Sequence, residues 1–189
     1  TCDCDAQECS RDPFLDSDPW RSHHSTIGHI ALLYEEEDLL APAVEEPEYY
    51  PMNILLDSGA SDHVASRTDI PGHDVVPSVG SRARRSYVDA SGNPIANQGE
   101  STLAMQLPIG GGRMNVGEAT FQVADVARPL LSVSKICEKG NDVLCRKDAA
   151  YVLDPNGKVV AKFEKRNGLY GATLAVKNPK HRDFQRQVK

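Results

Sequence analysis

The sequence predicts an all-β fold, and three observations carry that prediction. From residue 52 onward, short apolar runs recur between turns rich in Gly, Pro, Asn and Asp. In that body only one stretch, 132–139, has the length and ending of a helix. Aromatic residues are 6% and hydrophobic residues 40% of the 189, which suits a modest core built from β-branched and aliphatic side chains.

Residues 1–50 come first and differ in kind. They hold 13 of the 27 acidic residues but only two of the 21 basic ones, Arg11 and Arg21. The chain's net charge of −6 therefore averages an acidic arm with a mildly basic body. Pro13, Pro19, Pro42 and Pro47 interrupt the arm, and Glu35-Glu36-Glu37-Asp38 repel one another. Too few apolar residues are present to offset ordering entropy, so a disordered linker is expected over 1–50. One short helix is expected within it, over 27–40. Cys2, Cys4 and Cys9 with His23, His24 and His29 invite a zinc reading. Their spacing does not match a zinc knuckle, and a solvated tail with thiols is preferred. Five cysteines, with no leader-like start, argue against a secreted disulfide framework. The first residue, Thr1, suggests a processed piece or a fragment. No apolar run reaches the roughly 18–20 residues of a membrane span.

The body is read next. Ile54-Leu55-Leu56 forms a strand that ends at Asp57-Ser58-Gly59-Ala60. Strands are then expected at 74–76, 86–89, 101–107, 118–126, 143–144, 149–153, 159–164 and 168–175. Ser91-Gly92-Asn93-Pro94, residues 108–112, Asp154-Pro155-Asn156-Gly157 and Arg166-Asn167-Gly168 supply the turns. Gly140 stands where a helix over 132–139 needs its terminating residue. Residues 177–189 read as a basic, frayed tail.

Asp57-Ser58-Gly59 is a good turn after any strand, so the tripeptide alone says little. The longer string Leu56-Asp57-Ser58-Gly59-Ala60-Ser61-Asp62-His63 resembles the active-site loop of the aspartic proteases of copia-type LTR retrotransposons. Two later blocks resemble the same polyproteins in the same order. Pro129-Leu130-Leu131-Ser132-Val133-Ser134-Lys135-Ile136 is similar to the strand that enters the protease helix. Residues 143–174, with Arg166-Asn167-Gly168-Leu169-Tyr170, resemble the start of the region before integrase. The resemblance covers roughly 50–176.

The resemblance implies a retropepsin-like closed barrel, half of an acid protease, with one short helix over 51–141. A small β-hairpin unit would follow over 142–176. It implies an aspartic endopeptidase with Asp57 as the catalytic carboxylate, supported by Ser58 and Gly59. Ala60, Ser61, Asp62, Ala90, Ser91, Gly92 and Leu130 would contact a polypeptide substrate, the chain's own polyprotein. Ser58 would brace the opposite chain's loop. Residues 87–95 would form the mobile hairpin over the cleft, in preference to 108–112. Two departures matter. Ser132 replaces a Gly of the retroviral enzymes and no Arg follows, so contacts that need the Arg do not carry over. Ser61 stands where those enzymes have Asp.

Stoichiometry adds a deduction. Aspartic proteolysis needs two carboxylates sharing one proton, and this chain has one such motif. Asp89-Ala90-Ser91-Gly92 has an extra residue and does not match. Activity therefore requires a homodimer. No metal or organic cofactor and no membrane partner is implied. The expected setting is cytoplasmic, within a particle or polyprotein, with the nucleus as the alternative. A different class stays open: a catalytically silent dimerisation or scaffold module derived from such an element.

The remaining residues receive blander readings. His63 and His73 are read as loop residues, and Cys137 as a small buried helix residue. Arg82-Ala83-Arg84-Arg85 is read as a solvated loop. Residues 143–189 carry 11 basic and four acidic residues, which permits weak, unspecific nucleic-acid contact.

Overall fold

A computed structural model describes residues 46–181, all within one compact unit. The acidic arm's expected disorder, its helix over 27–40 and the Cys/His cluster at 2–29 lie outside the described residues, as does the tail from 182.

The described residues form eleven strands and two short helices. In order these are β1 (Tyr49–Asp57), β2 (Val64–Ala65), α1 (Val79–Arg82), β3 (Ser86–Val88), β4 (Pro94–Ala96), β5 (Gly99–Gly110) and β6 (Arg113–Val123). Then come β7 (Leu130–Ser132), α2 (Val133–Glu138), β8 (Asp142–Cys145), β9 (Ala149–Leu153), β10 (Val159–Arg166) and β11 (Leu169–Lys177). The protein is all-β, as the turn pattern predicts.

Six strands close on themselves in the order β1-β7-β2-β6-β5-β11, with β11 returning to pair with β1. Period-two alternation fills this barrel. Met52 and Ile54 of β1, Leu103 and Met105 of β5, Phe121 and Val123 of β6, and Leu174 and Val176 of β11 all point inward and are buried. Each such side chain contributes about 1.5–3 kcal/mol on burial. That sum decides the short elements, because two or three residues in β2 and β7 have no useful propensity of their own. Val64, Ala65 and Leu131 are drawn into the same core.

β5 and β6 form the longest hairpin, and Gly110, Gly111 and Gly112 turn it with φ of 97°, 62° and 71°. Gly99 opens β5 at φ 136°. A Cβ there would lie 2.5 Å from the Val76 carbonyl oxygen, so only Gly lets the two backbones meet. The expected strand over 74–76 reduces to this meeting, a single bridge from Val76 to Glu100.

Beyond the barrel, β10, β9 and β8 continue the sheet from β11. The hairpin unit expected over 142–176 therefore does not stand apart. β11 runs antiparallel to β1 from Lys177↔Tyr49 to Gly171↔Leu55, and it also pairs with β5. The reason is burial: Leu174 and Val176 fill a barrel that would otherwise open between β1 and β5. Lys177 is likewise in β11 rather than in a frayed tail.

One further expectation is corrected. Cys137 is exposed, because six-residue α2 turns only Ile136 into the core. Arg82-Ala83-Arg84-Arg85 is exposed, as expected of a solvated loop; only Arg82 belongs to α1, which the Ser78 hydroxyl caps by accepting from Ser81 N–H at 3.0 Å.

Leu174→Ala is expected to cost about 2–5 kcal/mol in denaturant unfolding. A chain ending at residue 141 is expected to lose its cooperative transition. A cooperative transition in that truncated chain would show that the barrel closes without β11.

Candidate active site

The centre of the site is where β1 runs out. β11 stops pairing with β1 at Leu55, while β7 runs parallel to it from Leu55↔Leu130 to Asp57↔Ser132. Asp57 thus emerges at one end of the barrel, held on one side only. The chain then turns sharply, and Gly59 N–H donates to Asp57 Oδ1 at 2.7 Å. One carboxylate oxygen is fixed by the backbone in this way. Asp57 is half-buried and Ser58 and Gly59 are exposed.

Beneath this loop lies a buried polar knot. Ser132 is fully buried. Its hydroxyl donates to the Ala60 carbonyl at 2.6 Å, and its backbone N–H donates to His63 Nδ1 at 3.0 Å. The hydroxyl's one proton is thereby used, so the Ser134 hydroxyl, 2.8 Å away, is the donor in that pair. Lys135 N–H also donates to Ser132 Oγ at 3.3 Å, capping α2. One serine therefore ties the loop, β7 and the helix start together.

His63 is a loop residue but not a bland one. It is 6% exposed and its ring lies 5.6 Å from that of Phe121. Burial first, and then the charge of Lys139, lower its pKa to about 4. Because Nδ1 accepts a hydrogen bond, the neutral ring carries its proton on Nε2. The sequence reading missed this role. No periodicity marks a buried histidine in a loop, and its only signal is its place in the string that resembles the protease loop.

A cleft of about 900 Å³ opens above Asp57. Its floor includes Leu55, Gly59, Ala60, Ser61 and Leu130, and Asp125–Arg128 form one wall. The β3–β4 hairpin forms another, contributing Tyr87, Asp89, Ala90 and Ile95. The turn of this hairpin is rigidly built. Asp89 Oδ1 accepts from the N–H groups of Ser91 and Asn93, both at 2.8 Å, and Gly92 sits at φ 85°. The hydrogen bonds from Asn93 hold the Asp89 carboxyl below its ordinary range.

Of the sequence-derived residues, Asp57, Gly59, Ala60, Ser61, Ala90 and Leu130 share this cleft. Ser91 and Gly92 sit at the exposed tip of the β3–β4 turn, outside its lining. Asp62 faces a smaller recess behind Tyr87. There it accepts from the Tyr87 hydroxyl at 3.2 Å and pairs with Lys135 Nζ at 3.8 Å. Burial, then the Asp62 charge, hold that hydroxyl protonated. Tyr87 is thus anchored to the loop that follows Asp57. The rival turn at 108–112 lies at a different groove that Asp57 does not line. No group of metal-ligating side chains is found among the described residues.

No family model, curated protein or solved structure matches this chain. No helix among the described residues is long and apolar enough to cross a membrane.

Two outcomes follow for the knot. Ser132→Ala leaves the Ala60 carbonyl without its donor and uncaps α2, at an expected cost of about 2 kcal/mol. His63 has a lowered folded pKa, so the unfolded chain takes up a proton between pH 6.5 and 4 that the folded chain refuses. Its contribution to stability is complete above pH 6.5 and is lost as pH falls toward 4. The slope approaches about 1.4 kcal/mol per pH unit. Urea unfolding across this window should show a shallower slope in His63→Gln; equal slopes would count against a buried neutral His63.

Proposed function

We propose that the protein is an aspartic endopeptidase of the retropepsin-like kind, active as a homodimer on a segment of its own copia-type polyprotein. The observation that carries this reading is Asp57 itself. A carboxylate stands at the open end of a six-stranded barrel, one oxygen bonded to Gly59 N–H, facing a cleft walled by a hairpin. A bare scaffold has no need of a carboxylate held in that way.

The chemistry follows from two copies of this arrangement. Two Asp57 carboxylates brought face to face cannot both ionise, so they share one proton. The charged one draws a proton from a bound water, which attacks the scissile carbonyl. The protonated one hydrogen-bonds that carbonyl oxygen; the C–N bond then breaks as the carboxyl that took the water's proton delivers it to the departing nitrogen, and the pair is left with its one shared proton. The Gly59 N–H favours charge on Asp57 Oδ1, which leaves Oδ2 for the water or the shared proton. An extended peptide would lie between the loop 57–61 and the β3–β4 hairpin, with Ala60 and Leu130 against its side chains. Neither a metal nor an organic cofactor enters the reaction.

Asp57→Asn is expected to reduce cleavage of a polyprotein carrying the chain's flanking sequences by at least ~10²-fold. The assay is run above the dimer dissociation constant. Unchanged cleavage would overturn the reading. A dimer in sedimentation that neither cleaves nor binds an active-site peptide inhibitor would make the protein a silent scaffold. Activity is expected from acidic to mildly acidic pH. It should fall below about pH 4, where His63 gains its proton and can no longer accept from Ser132 N–H.

A further inference from the structure

The cleft at Asp57 continues past Leu55 and Arg128 into a second groove. Both residues line each of the two spaces. The second groove, about 550 Å³, lies between β1, the β5–β6 turn and the β10–β11 hairpin. Its charge is one-sided. Arg113, Arg128, Lys162 and Arg166 stand against a single carboxylate, Glu164.

Glu164 is already committed, with Arg166 Nη2 at 2.8 Å and Lys162 Nζ at 3.9 Å. Arg113 and Arg128 are exposed and form no ion pair among the described residues. The carboxylates that share the Asp57 cleft with Arg128 are engaged elsewhere. Asp125 accepts from Gln98 Nε2 at 2.9 Å, Asp89 holds its own turn, and Asp57 is bonded to Gly59. Arg128 stands at the junction of the two spaces with no ion pair among the described residues, between a cleft that holds Asp57, Asp89 and Asp125 and a groove where four cations face one carboxylate.

We infer that this groove is a subsite for acidic side chains of the polypeptide substrate. Arg128 and Arg113 would meet Asp or Glu residues lying to one side of the bond held at Asp57. The inference rests on the protease reading for its scissile bond and on the groove's charge for its selectivity. A guanidinium prefers a carboxylate, which it can grip with two parallel hydrogen bonds. A nucleic acid is also a polyanion, but no aromatic ring lines the groove for a base to stack on. The groove's continuity with the Asp57 cleft further favours an extended peptide. Exposed cations act mainly on encounter and on salt dependence, so the selectivity is modest.

The test uses the full chain carrying Asp57→Asn, which binds without turnover. Fluorescence anisotropy compares an extended Glu-containing peptide with its Gln counterpart and with a single-stranded oligonucleotide of equal charge. The Glu peptide is expected to bind about threefold to tenfold more tightly than the Gln peptide. That margin should shrink at high salt and vanish in Arg128→Gln and in Arg113→Gln/Arg128→Gln, both exposed positions whose folding is checked by circular dichroism. Equal affinity for the two peptides overturns the inference. Tighter binding of the oligonucleotide also overturns it and makes the groove a nucleic-acid surface. Cleavage sites produced by the unsubstituted chain in a peptide library separate the two readings. Asp57-dependent cleavage without acidic enrichment defeats the subsite alone. Glu-selective binding without any Asp57-dependent cleavage supports the acidic-peptide groove and defeats the protease reading.

Discussion

Ser132 is the residue on which the rest of the site depends. Its hydroxyl holds the loop after Asp57 through the Ala60 carbonyl, its N–H holds His63, and its oxygen caps α2. Ser132 itself is at zero solvent exposure, where a lost partner costs more than it would at the surface. A Gly at this position would keep the bond to His63 but lose the bond to Ala60. This side-chain clamp also makes the loop sensitive to the protonation of one histidine.

The barrel around that clamp is closed by the chain's own late strand. Leu55 pairs with Gly171 of β11 and with Leu130 of β7, so β1 is fixed on both sides two residues before the carboxylate. Gly171 permits the close packing: a Cβ there would lie 3.1 Å from Leu55 Cδ2 and 3.2 Å from the Ile54 carbonyl oxygen. Rigidity behind Asp57 and freedom in front of it come from the same register. The end of β1, paired on one side only, meets the loop and the β3–β4 hairpin at one cleft.

Much of this was legible in the residues, and the misses have physical causes. β9 lies at 149–153 as its apolar run indicates, and the triple glycine at 110–112 is a hairpin turn. The helix after residue 132 and its stop at Gly140, φ 81°, follow from capping chemistry. β2 was invisible as a strand because two residues show no alternation, and β7 was readable only through the resemblance of its string; tertiary burial of Val64 and Leu131 defines them. Residues 74–76 look like a strand but meet the sheet at one point only. Cys137 looked buried by residue type, yet a six-residue helix has room for one inward side chain. Asp57 and its loop were readable from the string itself. The clamp beneath them was not, because Ser132 and His63 are 69 positions apart. Nor was the basic groove, whose cations come from β6, β10 and the segment before β7.

The proposed chemistry rests on two Asp57 carboxyls sharing a proton across a dimer. Carbon-13 NMR of labelled aspartate, with Asp57→Asn for assignment, measures this directly as pH is varied. Two Asp57 transitions split by more than about one pH unit, with one proton retained per dimer between them, are expected. A single ordinary carboxylate transition, unchanged by dilution through the dimer's dissociation, would contradict it.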